Sequence, residues 1–268
     1  MKISFIGGGN MARAIISGLK NNGFSTTSIT VIEPDAQKRA NLTMDFNVQT
    51  SDIFDEIHNS NVIVLAVKPQ QMREVCNHLI PYLNTQLIIS IAAGVKSSCI
   101  SDWLNNYQDI IRVMPNTPAQ IQQGVSALYA IEGVSQAQRE LASTILGAVG
   151  STLWLDNEIK MNAVTAISGS GPAYVFYLIE ALQDAAISLG LSHDEANTLA
   201  LQTFAGASQL ALRSTTDIKT LRAQVTSKGG TTEQGILALE TAKVKNTIMI
   251  AAKAAADKSS SLGDEFAK

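Results

Sequence analysis

Short apolar runs separated by polar or helical stretches dominate the first 155 residues. Lys2–Ile6, Ser28–Glu33, Asn61–Val67, Leu87–Ile91 and Asp109–Met114 are each five to seven residues long and rich in Ile and Val. Asn61–Val67 and Leu87–Ile91 are nearly unbroken apolar runs, which fit a parallel sheet covered on both faces. Val125–Tyr129 reads as a further strand. Residues 11–20 show an apolar face at helical spacing, and so do 135–146, with Gln136, Gln138, Arg139 and Glu140 on the wet side. Gly147, Gly150 and the run Ser151–Leu155 close this region, which predicts a domain over residues 1–155.

Beyond Asp156 the pattern turns helical and stays so to the end. A helix starting at 158–167 is interrupted by Ser168-Gly169-Ser170-Gly171-Pro172. The stretch 173–189 follows, apolar on more than one face and ended by Gly190. Ser192 with Glu195 three residues on is a capping-box signature for a helix to about Leu212. Thr216 or Asp217 starts a shorter helix. Ser227-Lys228-Gly229-Gly230-Thr231-Thr232 makes a second glycine loop, and helices 233–239 and 243–258 complete a domain over 156–268 whose tail, SSSLGDEFAK, is expected to fray. A helix apolar all round must be buried all round, which in so small a domain implies a partner subunit.

Composition narrows the function. Charged residues are 16% of the 268, against roughly 25% in ordinary soluble domains, in keeping with apolar surface reserved for an interface. The net charge of −3 carries no basic bias of the kind nucleic-acid binding uses. Cys76 and Cys99 are too few for a disulfide scaffold or a four-cysteine zinc site, and His58, His78 and His193 are isolated. No apolar stretch reaches the ~18 residues of a membrane span, and the N-terminus lacks a signal-peptide cleavage region, so a cytoplasmic protein is expected. There is no Gly-x-Ser-x-Gly elbow, no HExxH and no Walker A motif.

The chemistry that remains begins at the first strand end. Gly7-x-Gly9-x-x-Ala12 sits between a strand and a helix, the context of a dinucleotide fingerprint. Gly7 makes the turn, Gly9 lets the backbone approach a pyrophosphate, and Ala12 permits close helix–strand packing; the same pattern also serves as a ligand-free turn. Glu33, 26 residues after Gly7, stands where an acid accepts ribose hydroxyls and repels a 2′-phosphate, which favours NAD over NADP; a solvated strand-end residue is the alternative. Lys68, after the third run, stands at a strand end that faces a ligand crevice or else starts a helix in solvent. The SGSGP and SKGGTT loops offer backbone N–H groups and small hydroxyls to a carboxylate or phosphate, or simply break and cap helices.

Six segments in order resemble the pyrroline-5-carboxylate reductase family: FIGGGNMARAI (5–15), LAVKPQ (65–70), SIAAG (90–94), RVMPNTPA (112–119), AVTAISGSGPAYVF (163–176) and TSKGGTT (226–232). The resemblance spans essentially the whole chain. It implies an N-terminal Rossmann-like α/β domain followed by an all-helical dimerisation domain. It further implies hydride transfer from NADPH or NADH to C5 of 1-pyrroline-5-carboxylate, giving L-proline in the last step of proline biosynthesis. The family's cofactor pocket maps to Gly7, Gly9, Asn10, Met11, Ala66, Val67, Lys68 and Asn116, beside Glu33. Its substrate loop maps to Ser227, Gly229, Gly230 and Thr231, and its ring-nitrogen contact to Thr232, the candidate catalytic residue. Family members form interlaced homodimers, often stacked into decamers.

Three positions depart from the family pattern. Lys228 replaces a usual proline, and Asp217-Ile218 stands where His-Pro is common. Glu33-Pro34-Asp35 lacks the arginine or hydroxyl that many NADPH-preferring members use there, although Lys38 and Arg39 follow a turn later. The family thus points to NADPH and the local chemistry to NADH. Competing readings are a reductase of a related cyclic imino acid, a β-hydroxy acid enzyme using Lys160, and a nucleotide-sensing protein without turnover.

Overall fold

The computed structural model describes residues 1–266. Eight strands form one sheet: β1 (Ile3–Ile6), β2 (Ile29–Ile32), β3 (Gln49–Ser51), β4 (Val62–Leu65), β5 (Leu87–Ser90), β6 (Ile110–Met114), β7 (Gly124–Ala130) and β8 (Gly150–Trp154). Their order is β3-β2-β1-β4-β5-β6-β7-β8. The first six run parallel; β7 is antiparallel to β6, and β8 is parallel to β7. The chain moves outward one way from β1 to β3 and the other way from β4, so the order reverses between β1 and β4. Ligands of open α/β sheets bind at such a switch point, beyond the carboxyl ends of the strands.

The unbroken apolar runs have the predicted cause. Val62 and Val64 of β4 face one core with Ile3, Phe5, Ile15 and Ile16, while Ile63 and Leu65 face a second with Met72, Cys76 and Leu79. Each fully buried Ile or Leu contributes roughly 1.5–3 kcal/mol. Helices α1 (Asn10–Asn21), α2 (Ala36–Phe46), α3 (Met72–Leu79), α4 (Ser97–Trp103) and α5 (Gln136–Gly147) accompany the sheet. The sequence pattern missed α2, α3, α4 and the polar strand β3. Helix α2 buries only Leu42, so it shows no apolar stripe; α3 and α4 span eight and seven residues, too short for periodicity to stand out.

The helical half comprises α6 (Lys160–Val164), α7 (Gly171–Ser188), α8 (His193–Arg213), α9 (Ile218–Gln224), α10 (Thr231–Thr241) and α11 (Val244–Phe266). The Ser192–Glu195 capping box forms as read, and Asp217 rather than Thr216 caps α9. The expected break at SGSGP falls at Ser170, after a π-helical turn over Thr165–Gly169, and Gly171-Pro172 opens α7. Pro172 is tolerated there because an N–H in the first turn has no intrahelical partner.

The chain forms two compact units. One is Met1–Ser170 together with the segment from Ala254 onward; the other is Gly171–Lys253. The strands end at Trp154, near the expected boundary at 155, but the first unit extends further. Glu158 is tied to Ser97 and Arg112, and Met161 and Ala166 are buried.

The tail does not fray over its described part. Ser259 and Gly263 of α11 are buried, the Ser259 hydroxyl donates to Asn162 Oδ1 at 2.9 Å, and Lys96 pairs with Asp264 at 2.7 Å. A Cβ at position 263 would stand 3.1 Å from the Gly94 carbonyl oxygen, so the helix docks there on its glycine face. Residues 267 and 268 lie outside the described residues.

In the second unit, α7 buries none of its residues within the chain, leaving Phe176 and Tyr177 66% and 72% exposed. The apolar surface read from 173–189 is therefore open in a single chain. No helix among the described residues is long and apolar enough to cross a membrane.

Candidate active site

The first unit holds a cleft of about 490 Å³ at the switch point, lined by Gly7, Gly8, Gly9, Glu33, Pro34, Asp35, Lys38, Asp52, Ala66, Val67 and Lys68, with Gln71, Glu74 and His78 farther along. Gly7 has φ +99°, and a Cβ there would lie 2.8 Å from the Ala66 carbonyl oxygen, so the residue is a glycine for both conformation and space. Gly7 N–H donates to the Ile32 oxygen and Ala66 N–H to the Ile6 oxygen, each at 2.8 Å, which ties the turn to the neighbouring strand ends.

Gly9 is the N-cap of α1, with no side chain capping the helix and nothing within 4 Å of where its Cβ would be. An uncapped helix start above open space fits a pyrophosphate. Ala12 is fully buried against the sheet, as read. Asn10 and Met11 occupy the first turn of α1 and, like Asn116, lie outside the cleft lining. Asn116 Oδ1 accepts the Val125 N–H at 2.9 Å, fixing the polar loop to the start of β7.

Glu33 is buried, which removes the solvated alternative. Its Oε2 accepts the Gly8 N–H at 2.9 Å, its Oε1 accepts the Asp35 N–H at 3.2 Å, and Lys38 Nζ stands 4.0 Å away. Arg39 folds back onto the carbonyl oxygens of Glu33 (2.7 Å) and Pro34 (2.9 Å) and pairs with Asp52 at 3.3 Å. Of the two cations considered for a 2′-phosphate, Lys38 lines the cleft and Arg39 holds the end of β2. The contributions of Gln71, Glu74 and His78 carried no sequence signal beyond Pro69, because α3 itself was not legible.

The second unit presents Ser227–Thr232 as a turn running into α10. Gly229 is left-handed (φ +75°), Gly230 N–H donates to the Ser227 oxygen at 3.1 Å, and Gly230 is the N-cap. Thr231 and Thr232 open the helix, both exposed. Sequence reasoning missed Glu233, whose Oε2 accepts the Gly229 N–H at 2.7 Å. Lys160 forms a surface ion pair with Asp156 at 2.6 Å, and the ammonium holds the Asp156 carboxyl below its ordinary value. Among the described residues no group of three or more His, Cys, Asp or Glu could hold a metal ion.

A switch-point cleft with this glycine turn has the form of a dinucleotide-binding site, and with the relatives described next it makes the chain an NAD(P)H-dependent oxidoreductase. Residues 158–262 match the pyrroline-5-carboxylate reductase dimerisation family, and 2–94 match the coenzyme F420-dependent NADP oxidoreductase family. A pyrroline-5-carboxylate reductase of Pseudomonas aeruginosa is 43% identical over 267 residues, covering 99% of this chain and 98% of that one. The solved pyrroline-5-carboxylate reductase of Coxiella burnetii is 40% identical with a TM-score of 0.94, covering 97% and 98% of the two chains. That of Plasmodium falciparum, solved with NADP bound, is 30% identical with a TM-score of 0.87 and covers 98% of each. The chain belongs to the pyrroline-5-carboxylate reductase family.

Proposed function

We propose that the protein reduces 1-pyrroline-5-carboxylate to L-proline, the closing step of proline biosynthesis, in the cytoplasm. The observation that carries this reading is the Gly229–Thr232 turn at the start of α10, with Thr231 and Thr232 exposed, on a chain whose first unit has the uncapped glycine turn of a dinucleotide site. Gly7, Gly9, Asn10, Met11, Ala66, Val67, Lys68 and Asn116 hold the dinucleotide, which supplies a hydride when bound. Ser227 and the backbone of Gly229, Gly230 and Thr231 hold the substrate carboxylate. The Thr232 hydroxyl orients the ring nitrogen of the substrate. The iminium nitrogen already carries its proton, so orientation is the main requirement.

Both reduced cofactors serve, with NADH favoured because Glu33, Asp35 and Asp52 line the cleft with Lys38 and disfavour a 2′-phosphate. The open apolar surface of α7 supports a homodimer, with decamers as a further assembly. The test is loss of reduced-cofactor absorbance with 1-pyrroline-5-carboxylate, run with NADH and with NADPH beside a six-membered cyclic imine. No turnover with either cofactor overturns the reading; faster turnover of the larger ring moves it to the related imino acid. Sedimentation of wild type and Phe176→Asp tests the dimer.

A further inference from the structure

Glu33 occupies the place of a ribose-reading acid, yet its hydrogen bonds run to the backbone. We infer that Glu33 is a positioning residue which holds the glycine turn in its phosphate-receiving shape by gripping the Gly8 N–H. This rests on the dinucleotide reading of the cleft.

The geometry carries the inference in three ways. The carboxylate spans two chain segments: Oε2 takes the Gly8 N–H of the turn and Oε1 takes the Asp35 N–H after β2. The side chain is only 8% exposed, so these bonds form in a poorly hydrated setting where a lost acceptor is not replaced by water. The turn is also closely packed at Gly8, where a Cβ would stand 2.6 Å from Leu42 Cδ1 and 3.3 Å from Glu33 Oε2, so the backbone there lies directly against the carboxylate. With the Gly8 N–H turned toward Glu33, the N–H groups left for a pyrophosphate are those opening α1 beyond Gly9, where no side chain competes. The nearby cations do other work: Arg39 holds the backbone of residues 33 and 34, and Lys38 reaches only the outer oxygen.

Removing the charge changes the balance of NADPH against NADH whichever role Glu33 has, so that ratio does not discriminate. Reduced nicotinamide mononucleotide does, because it carries a phosphate for the turn but no adenosine ribose. Affinities of wild type, Glu33→Gln and Glu33→Asp for NADH, NADPH and the mononucleotide are read by nicotinamide fluorescence. Amide exchange at Gly8 and Asp35 is followed without any ligand.

Glu33→Gln turns one acceptor oxygen into an amide donor facing an N–H, and Glu33→Asp withdraws the carboxylate by one methylene. Each variant is expected to speed exchange at Gly8 and to weaken mononucleotide binding on the order of tenfold. Unchanged mononucleotide affinity with NADH weakened shows a ribose-reading acid and overturns the inference, as does unchanged Gly8 exchange. Wild type binding none of the three ligands overturns the dinucleotide reading itself, a failure the ligand-free exchange result keeps separate.

Discussion

Arg112 and Glu158 offer a sharp test of how the first unit is held together. Arg112 Nη1 pairs with Glu158 Oε1 at 2.9 Å, with side chains 6% and 20% exposed. The same carboxylate accepts the Ser97 N–H at 2.7 Å and the Ser97 hydroxyl at 2.8 Å. It thereby caps α4, whose N-cap Lys96 makes no side-chain capping bond. Glu158→Ala strands a buried guanidinium and an orphan helix N–H together. Breaking a buried pair from one side costs about 3–5 kcal/mol, and partial exposure of Glu158 places the loss near the lower end. At about 2–4 °C per kcal/mol for a unit of this size, the apparent Tm falls by roughly 6–12 °C. Scanning calorimetry at one fixed protomer concentration is the assay, since association would otherwise move the transition. The double variant Arg112→Met/Glu158→Leu removes both charges and is expected to regain at least half of the loss. Single variants within about 2 °C of wild type, or a double variant as poor as the sum of the singles, would refute the reasoning.

Gly7→Ala places a β-carbon against the Ala66 carbonyl in a left-handed conformation; cofactor Kd is expected to rise at least about tenfold with helical content retained, and normal binding contradicts the turn assignment. Thr232→Ala is expected to keep the fold and lower kcat/KM roughly 5- to 150-fold, from a lost polar contact of ~1–3 kcal/mol; unchanged efficiency removes Thr232 from its role. Burial pushes the Cys76 thiol from its ordinary value of 9.0 up to about 12. Between those values the unfolded state binds fewer protons, so stability falls as pH rises, by about 1.4 kcal/mol at pH 10. Urea midpoints should therefore drop more steeply from pH 8 to 10 in wild type than in Cys76→Ala; parallel slopes contradict the burial argument.

What was legible in the sequence followed from strong local signals. The two-face burial of β4 and β5 left nearly unbroken apolar runs, and Ser192–Glu195 announced its helix through a side chain only three residues away. Gly7 was legible because a turn at φ +99° admits little else. Helices α2 to α4 were not legible, because a helix that buries one residue, or spans only two turns, leaves no period to count. The tail was misread for a related reason: Ser259 and Gly263 look like fraying composition, yet their small size is what lets α11 approach the Gly94 backbone.

The sequence by itself determined the main buried strands, the α/β-then-helical plan and the glycine turn, since each depends on residues close together in the chain. Tertiary structure alone decided the hydrogen-bond partners of Glu33, the withdrawal of Arg39 from the cleft, the Glu158 bond to Ser97 and the docking of α11. Each of these joins groups from separate segments, and a partner's distance in space is set by the packing of the whole unit, which no local pattern encodes.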